Sequence, residues 1–79
     1  MIYVEISLAP NPKPVWKGEL PINTDDASQS LDAVFAKFNL DHPPSYPHRS
    51  LSVGDEVFLA TPQSVGTYRC ESFGWSPIQ

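Results

Sequence analysis

Apolar residues alternate with polar ones along Ile2, Val4, Ile6 and Leu8, with Tyr3, Glu5 and Ser7 between them. A period of two rich in β-branched residues predicts a half-buried strand. The stretch Ala9-Pro10-Asn11-Pro12-Lys13-Pro14 then sets three prolines at alternate positions, which removes backbone donors and predicts an exposed connection. Val15 to Ile22 alternates less cleanly, with Trp16, Leu20 and Ile22 on one side, and predicts a second strand antiparallel to the first. Gly18 and Pro21 point to a sheet edge for it. Asn23-Thr24-Asp25-Asp26 is helix-start chemistry: Asp26 caps the free amides and Gln29, three residues on, reaches back. The period then lengthens. Leu31, Val34, Phe35 and Phe38 stand at i, i+3, i+4 and i+7, one apolar stripe of a helix from about Ala27 to Asn39.

Asp41 to His48 holds three prolines, which end the helix and forbid regular structure. Alternation returns at Leu51: Leu51, Val53, Val57 and Leu59 face one way, with Gly54-Asp55 marking a turn or bulge where the strand starts. Thr61 to Gly66 reads as a polar connection, Thr67 to Phe73 as the partner strand, and Gly74-Trp75 as its end before a short tail with Pro77. The hairpin therefore runs from Arg49 to Trp75. The fold class expected is α+β, one domain over residues 1–79 in the order ββαββ, with one helix packed on a four-stranded, mostly antiparallel sheet. A β-grasp-like arrangement, with the first and last strands parallel, is one route to it.

Size and composition narrow the function classes. At 79 residues there is room for one core only, since such a chain buries roughly 60% of the surface it exposes unfolded. A single cysteine, Cys70, forms no internal disulfide, which fits a reducing compartment, and no apolar run reaches the length of a membrane span. With no positive region preceding an apolar stretch near Met1, a soluble cytoplasmic chain is expected. The net charge is −4, and the five cations Lys13, Lys17, Lys37, Arg49 and Arg69 are dispersed, so no basic stripe exists to bind a phosphate backbone.

The reactive side chains form no convincing catalytic set. A structural zinc site needs four ligands at paired short spacings, whereas His42 and His48 lie in the proline loop and Cys70 stands alone. Cys70 could pair with one of those histidines as a nucleophile, but within an alternating strand a cysteine behaves as a small buried hydrophobe. Ser50-Leu51-Ser52-Val53-Gly54-Asp55 lacks the glycine spacing and lysine of a phosphate loop and the flanking glycines of a nucleophile elbow; its serines bond nearby backbone. Phe73-Gly74-Trp75 sets two aromatics about a glycine, one ring to cap the core and the other to be exposed, while Tyr46 and Trp16 are candidates for partial exposure. Neither metal nor cofactor is expected.

Three blocks in order, Phe38-Asn39-Leu40-Asp41-His42-Pro43, Arg49-Ser50-Leu51-Ser52-Val53-Gly54-Asp55 and Tyr68-Arg69-Cys70-Glu71-Ser72-Phe73-Gly74-Trp75, resemble the YodL-like domain. That domain is a small module of phages, plasmids and conjugative elements, often carried within large polyvalent proteins. The likeness spans about Leu31 to Ile78, and where Glu56 stands the family tends to carry an apolar residue. It implies a mobile-element setting and a non-enzymatic accessory role, and supplies no catalytic residues. The function expected is thus a protein-binding accessory module of a mobile element or its bacterial host, with Asp41, His42, Tyr46, His48, Arg49 and Trp75 as candidate contact residues. The alternative is a small acidic inhibitor of a host defence nuclease, and a cryptic enzyme built on Cys70 or the histidines is a third reading.

Overall fold

A computed structural model describes residues 1–11, 13–24, 26–40 and 46–78. Its elements are β1 (Ile2–Ser7), β2 (Trp16–Leu20), α1 (Ala27–Leu40), β3 (Glu56–Ala60), β4 (Val65–Glu71) and β5 (Gly74–Ile78). The sheet has five strands in the order β2-β1-β3-β4-β5, and every neighbouring pair is antiparallel. Two expectations are thereby corrected. The sheet is not four-stranded, because the tail after Gly74 is itself a strand, and no parallel pair of the β-grasp kind occurs among the described strands. β1 lies beside β3 in antiparallel register, Ile6 opposite Val57 and Val4 opposite Leu59.

The extra strand follows from one backbone position. Gly74 takes φ +92°, a conformation that side-chain-bearing residues avoid, and its neighbours Ser72 and Phe73 form the turn that returns the chain along β4. The glycine that looked like a strand breaker is the hinge of a hairpin. Pro77 is tolerated because β5 is an edge strand, where a missing N–H need not break a ladder bond. At the opposite edge β2 carries Gly18, as expected of an edge. The Trp16 ring folds over that glycine so closely that a Cβ would meet it at 2.6 Å.

Helix α1 starts as its sequence dictates: Asp26 Oδ1 accepts from the amides of Ser28 at 2.8 Å and Gln29 at 3.4 Å. The reciprocal arm differs from expectation, for Gln29 accepts the Thr24 hydroxyl at 3.0 Å, and the Asp26 amide donates to Thr24 Oγ1 at 3.2 Å. Leu31, Val34 and Phe38 are buried and Phe35 half-buried, so the apolar stripe is the face laid on the sheet. It meets Ile2, Val4, Ile6, Leu20, Val57 and Leu59, whose strand alternation brings them to the same side. Phe38, wholly buried, is the centre of that core. Trp16 and Tyr46 meet its ring edge-to-face at centroid distances of 5.1 and 4.7 Å.

The third strand begins later than its hydrophobic pattern suggested. Leu51 is buried but Val53 is 60% exposed, because a turn separates both from β3. The Asp55 amide donates to the Ser52 carbonyl at 3.1 Å, with Gly54 at φ +96° in the third position, the signature of a type II turn. Gly54 N–H donates to the Cys70 carbonyl and Cys70 N–H to the Asp55 carbonyl, both at 2.8 Å. Two residues thus face one across the ladder, a glycine bulge of the kind foreseen at Gly54-Asp55. The next connection is tight, Thr61 and Ser64 exchanging backbone bonds, so β4 starts at Val65.

Phe38→Ala should cost about 3–5 kcal/mol, the usual loss for a buried aromatic. Against a total of roughly 4–12 kcal/mol for a chain of this length, the urea midpoint should fall by roughly a quarter or more. Gly54→Ala, whose added methyl would meet only the Ala9 Cβ at 3.8 Å, should cost about 1–2 kcal/mol through backbone strain alone. An unchanged urea midpoint would refute the left-handed turn.

Candidate functional site

The block from Arg49 to Asp55 is organised around one carboxylate. Asp55 is 1% exposed, and both of its oxygens are filled. Oδ1 accepts from the Ala9 amide at 2.8 Å and Arg49 Nη2 at 2.7 Å; Oδ2 accepts from the Ser52 amide at 2.9 Å and Arg49 Nη1 at 2.6 Å. The guanidinium is thus bidentate on the carboxylate, the strongest geometry for this pair. It also donates to the Ser50 carbonyl at 3.0 Å and Ser52 Oγ at 3.1 Å. Burial by itself would raise the Asp55 carboxyl, but Arg49 and the Ala9 and Ser52 amides outweigh it and hold the group below its ordinary value.

A second clamp lies beside the first. The Asn39 side chain, in the last turn of α1, accepts from the Leu51 amide at 2.7 Å and donates to the Leu51 carbonyl at 3.2 Å, pairing with that residue as a strand would. Tyr46 OH donates to the Arg49 carbonyl at 2.8 Å. Asn39, Tyr46, Arg49 and Asp55 together pin the return from helix to sheet.

The candidate contact residues therefore have different fates. Asp41 and His42 lie outside the described residues. Tyr46 is corrected from partly exposed to 3% exposed, because its ring fills the core against Phe38 while its hydroxyl serves the Arg49 backbone. Arg49 is exposed at the surface, yet its guanidinium is spent on Asp55. His48 is exposed and sets its ring edge-on to Tyr46 at 5.3 Å. Trp75 is half-buried and meets Phe35 of α1 edge-to-face at 6.2 Å. Phe73, at the turn before it, is 98% exposed, so the two aromatics about Gly74 divide as expected, Trp75 inward and Phe73 outward.

Beside Trp75 an open groove of about 450 Å³ separates α1 from the β4–β5 hairpin. Its floor is Leu51 and Cys70, its walls Phe35 and Trp75, and its rim includes Asp32, Val53 and Glu71. Sequence reading found Trp75 but missed Phe35, Asp32 and Glu71 as its companions. The signal was the register: Cys70 opposite Trp75 puts both on the helix side of the sheet, which could be inferred only once β5 was recognised as a strand. Cys70 is 5% exposed, and burial, then the charges of Asp55 and Glu71, push its thiol up, the opposite of what a nucleophile needs. Among the described residues no group of three or more His, Cys, Asp or Glu is placed to hold a metal ion, and no helix is long and apolar enough to cross a membrane.

Asp55 fixes the sign of an acid dependence. A carboxyl depressed by folding contributes stability that is complete above its unfolded pKa, roughly 4, and is lost as pH falls through the lower folded value. Asp55→Asn should cost about 2–3 kcal/mol at neutral pH, the range of a lost charge-assisted bond. It should also flatten the fall in urea midpoint below about pH 4. An acid profile identical to that of the parent chain would show that Asp55 is not the controlling group.

No curated protein and no solved structure matches the chain. The family described as the YodL-like domain matches residues 7–79, a span that takes in β2 as well as the helix and the three later strands and so reaches further toward the N-terminus than the three sequence blocks. The chain belongs to the YodL-like domain family.

Proposed function

We propose that this domain is a non-enzymatic protein-binding accessory module of a mobile genetic element or its bacterial host, and that its contact surface is the end of the molecule built from Trp75, Phe73 and the adjoining groove. The observation that carries the reading is Phe73, which holds a whole aromatic ring in water, 98% exposed, at the tip of a hairpin beside a groove lined by two further aromatics. Large exposed aromatics next to partly open pockets are the usual anchors of protein contacts. Membership of the YodL-like family supports the mobile-element setting.

The chemistry of the reactive groups supports a binding role over catalysis. The Cys70 thiol is buried with a raised pKa, and the Asp55 carboxylate has each oxygen engaged by two donors. The inhibitor reading draws less support. On the open face of the sheet Lys17 stands opposite Glu5, and Arg69 approaches Glu56 at 3.7 Å, so these carboxylates do not form the unbroken row that a nucleic-acid mimic requires. Arg49, whose guanidinium donates to Ser52 Oγ on the groove lining at 3.1 Å, extends the proposed surface at its margin.

A photo-crosslinkable phenylalanine analogue placed at position 73 and expressed in the host should give a discrete adduct, absent when the analogue sits at position 17. Trp75→Ala, confirmed folded by circular dichroism, should abolish it. Identical adduct patterns at positions 73 and 17 would count decisively against a contact surface here.

A further inference from the structure

We propose that the groove beside Trp75 receives a cationic segment of a partner protein, seating an apolar side chain over Leu51 and Cys70 against the paired rings of Phe35 and Trp75 and setting a Lys or Arg against Asp32 and Glu71. The inference rests on the contact surface proposed above and specifies the partner's chemistry.

The charge around the groove is one-sided. Of its ten lining residues, Asp32 and Glu71 are the ionisable groups at the rim, and none is Lys or Arg. The Arg49 guanidinium, which reaches the lining through Ser52 Oγ at 3.1 Å, is held bidentate on Asp55. An anionic segment would be repelled by Asp32 and Glu71, and the adjoining guanidinium is already engaged by Asp55, whereas a cationic segment gains at each carboxylate.

Apolar shape complements the charge. Leu51 and Cys70 close the floor at 3% and 5% exposure, so a seated side chain would meet a dry base. Phe35 and Trp75, packed edge-to-face at 6.2 Å by ring centroid, form one continuous aromatic wall, and an Arg of the partner can also stack on the indole. At Gly74 no heavy atom lies within 4 Å of where a Cβ would be, which leaves the hairpin backbone open to a partner's main chain. Phe73 and Val53, 98% and 60% exposed, flank the opening. A second groove of about 480 Å³, between Leu20, Ile22, Ala33, Ala36 and Leu40, has Lys37 as the charged residue on its lining and therefore lacks this preference.

Random heptapeptides displayed on phage and panned against the full chain should select sequences with an aliphatic or aromatic residue within two positions of a Lys or Arg. Titrated as synthetic peptides into isotope-labelled protein, they should shift the amide signals of Asp32, Phe35, Cys70, Glu71 and Trp75. Affinity should fall about tenfold in Asp32→Asn/Glu71→Gln, with the thermal midpoint unchanged. Ser72→Arg, an exposed turn position that would bring a competing cation to the rim, should weaken binding similarly. Selected peptides that shift the groove signals but carry no cation, or an unchanged affinity in the double variant, would overturn the cationic preference while leaving the contact surface standing. Peptides that map elsewhere, or a selection yielding none that shifts those signals, would overturn both.

Discussion

The buried carboxylate of Asp55 is the constraint on which the rest of the fold depends. Its four hydrogen bonds come from three parts of the chain: the loop after β1 through Ala9, the helix-to-sheet return through Arg49, and the turn through Ser52. Its own backbone carbonyl accepts from Cys70 and so enters the β3–β4 ladder. A charge removed from water is expensive unless every lone pair is answered, and here the cost is offset by a bidentate guanidinium and two amides. The serine-rich run between Arg49 and Asp55 is therefore a fastening, and its residue types follow from that task. A small residue is needed at Ser52, whose amide and hydroxyl both take part, and a glycine at Gly54, whose φ of +96° closes the turn.

Around this fastening the domain is built one-sidedly. A single helix covers one face of the five-stranded sheet, and its stripe of Leu31, Val34 and Phe38 matches the buried strand positions. The other face carries mixed residues. Tyr3 and Phe58 meet edge-to-face at 6.3 Å, the Tyr3 hydroxyl donates to Glu5 at 2.7 Å, and Glu56 lies near Arg69. A charged residue is tolerated at Glu56 because that position faces away from the core. Both edges of the sheet are blunted, β2 by its charges and glycine and β5 by Pro77, which discourages strand addition along either edge.

The proposed contact surface inherits its rigidity from the same devices. Leu51 is held by Asn39, Cys70 by the ladder around Asp55, and Trp75 by its register opposite Cys70. A floor fixed in this way keeps the groove formed before anything binds, so little ordering cost falls on the domain when a partner arrives.

Local patterning by itself determined much of this protein. The period of two in Ile2 to Leu8, the change to helical spacing at Leu31, the cap at Asp26, the bulge at Gly54-Asp55 and the burial of Cys70 were all legible, because each is written in neighbouring residues. Only the tertiary structure decided the remainder. Whether Gly74 ends a strand or turns one depends on whether a partner strand lies beside it, and the sequence pattern is the same in both cases. Val53 looked like a core residue until the turn below it reversed the alternation. Tyr46 looked available until Phe38 supplied the place for its ring. Arg49 reads as a free cation in a proline loop, yet it answers a carboxylate six residues away that also binds Ala9 from 46 residues upstream. Contacts of that reach depend on the path of the whole chain, which no local period records. The groove beside Trp75, assembled from α1, β4 and β5, is for the same reason a property of the fold.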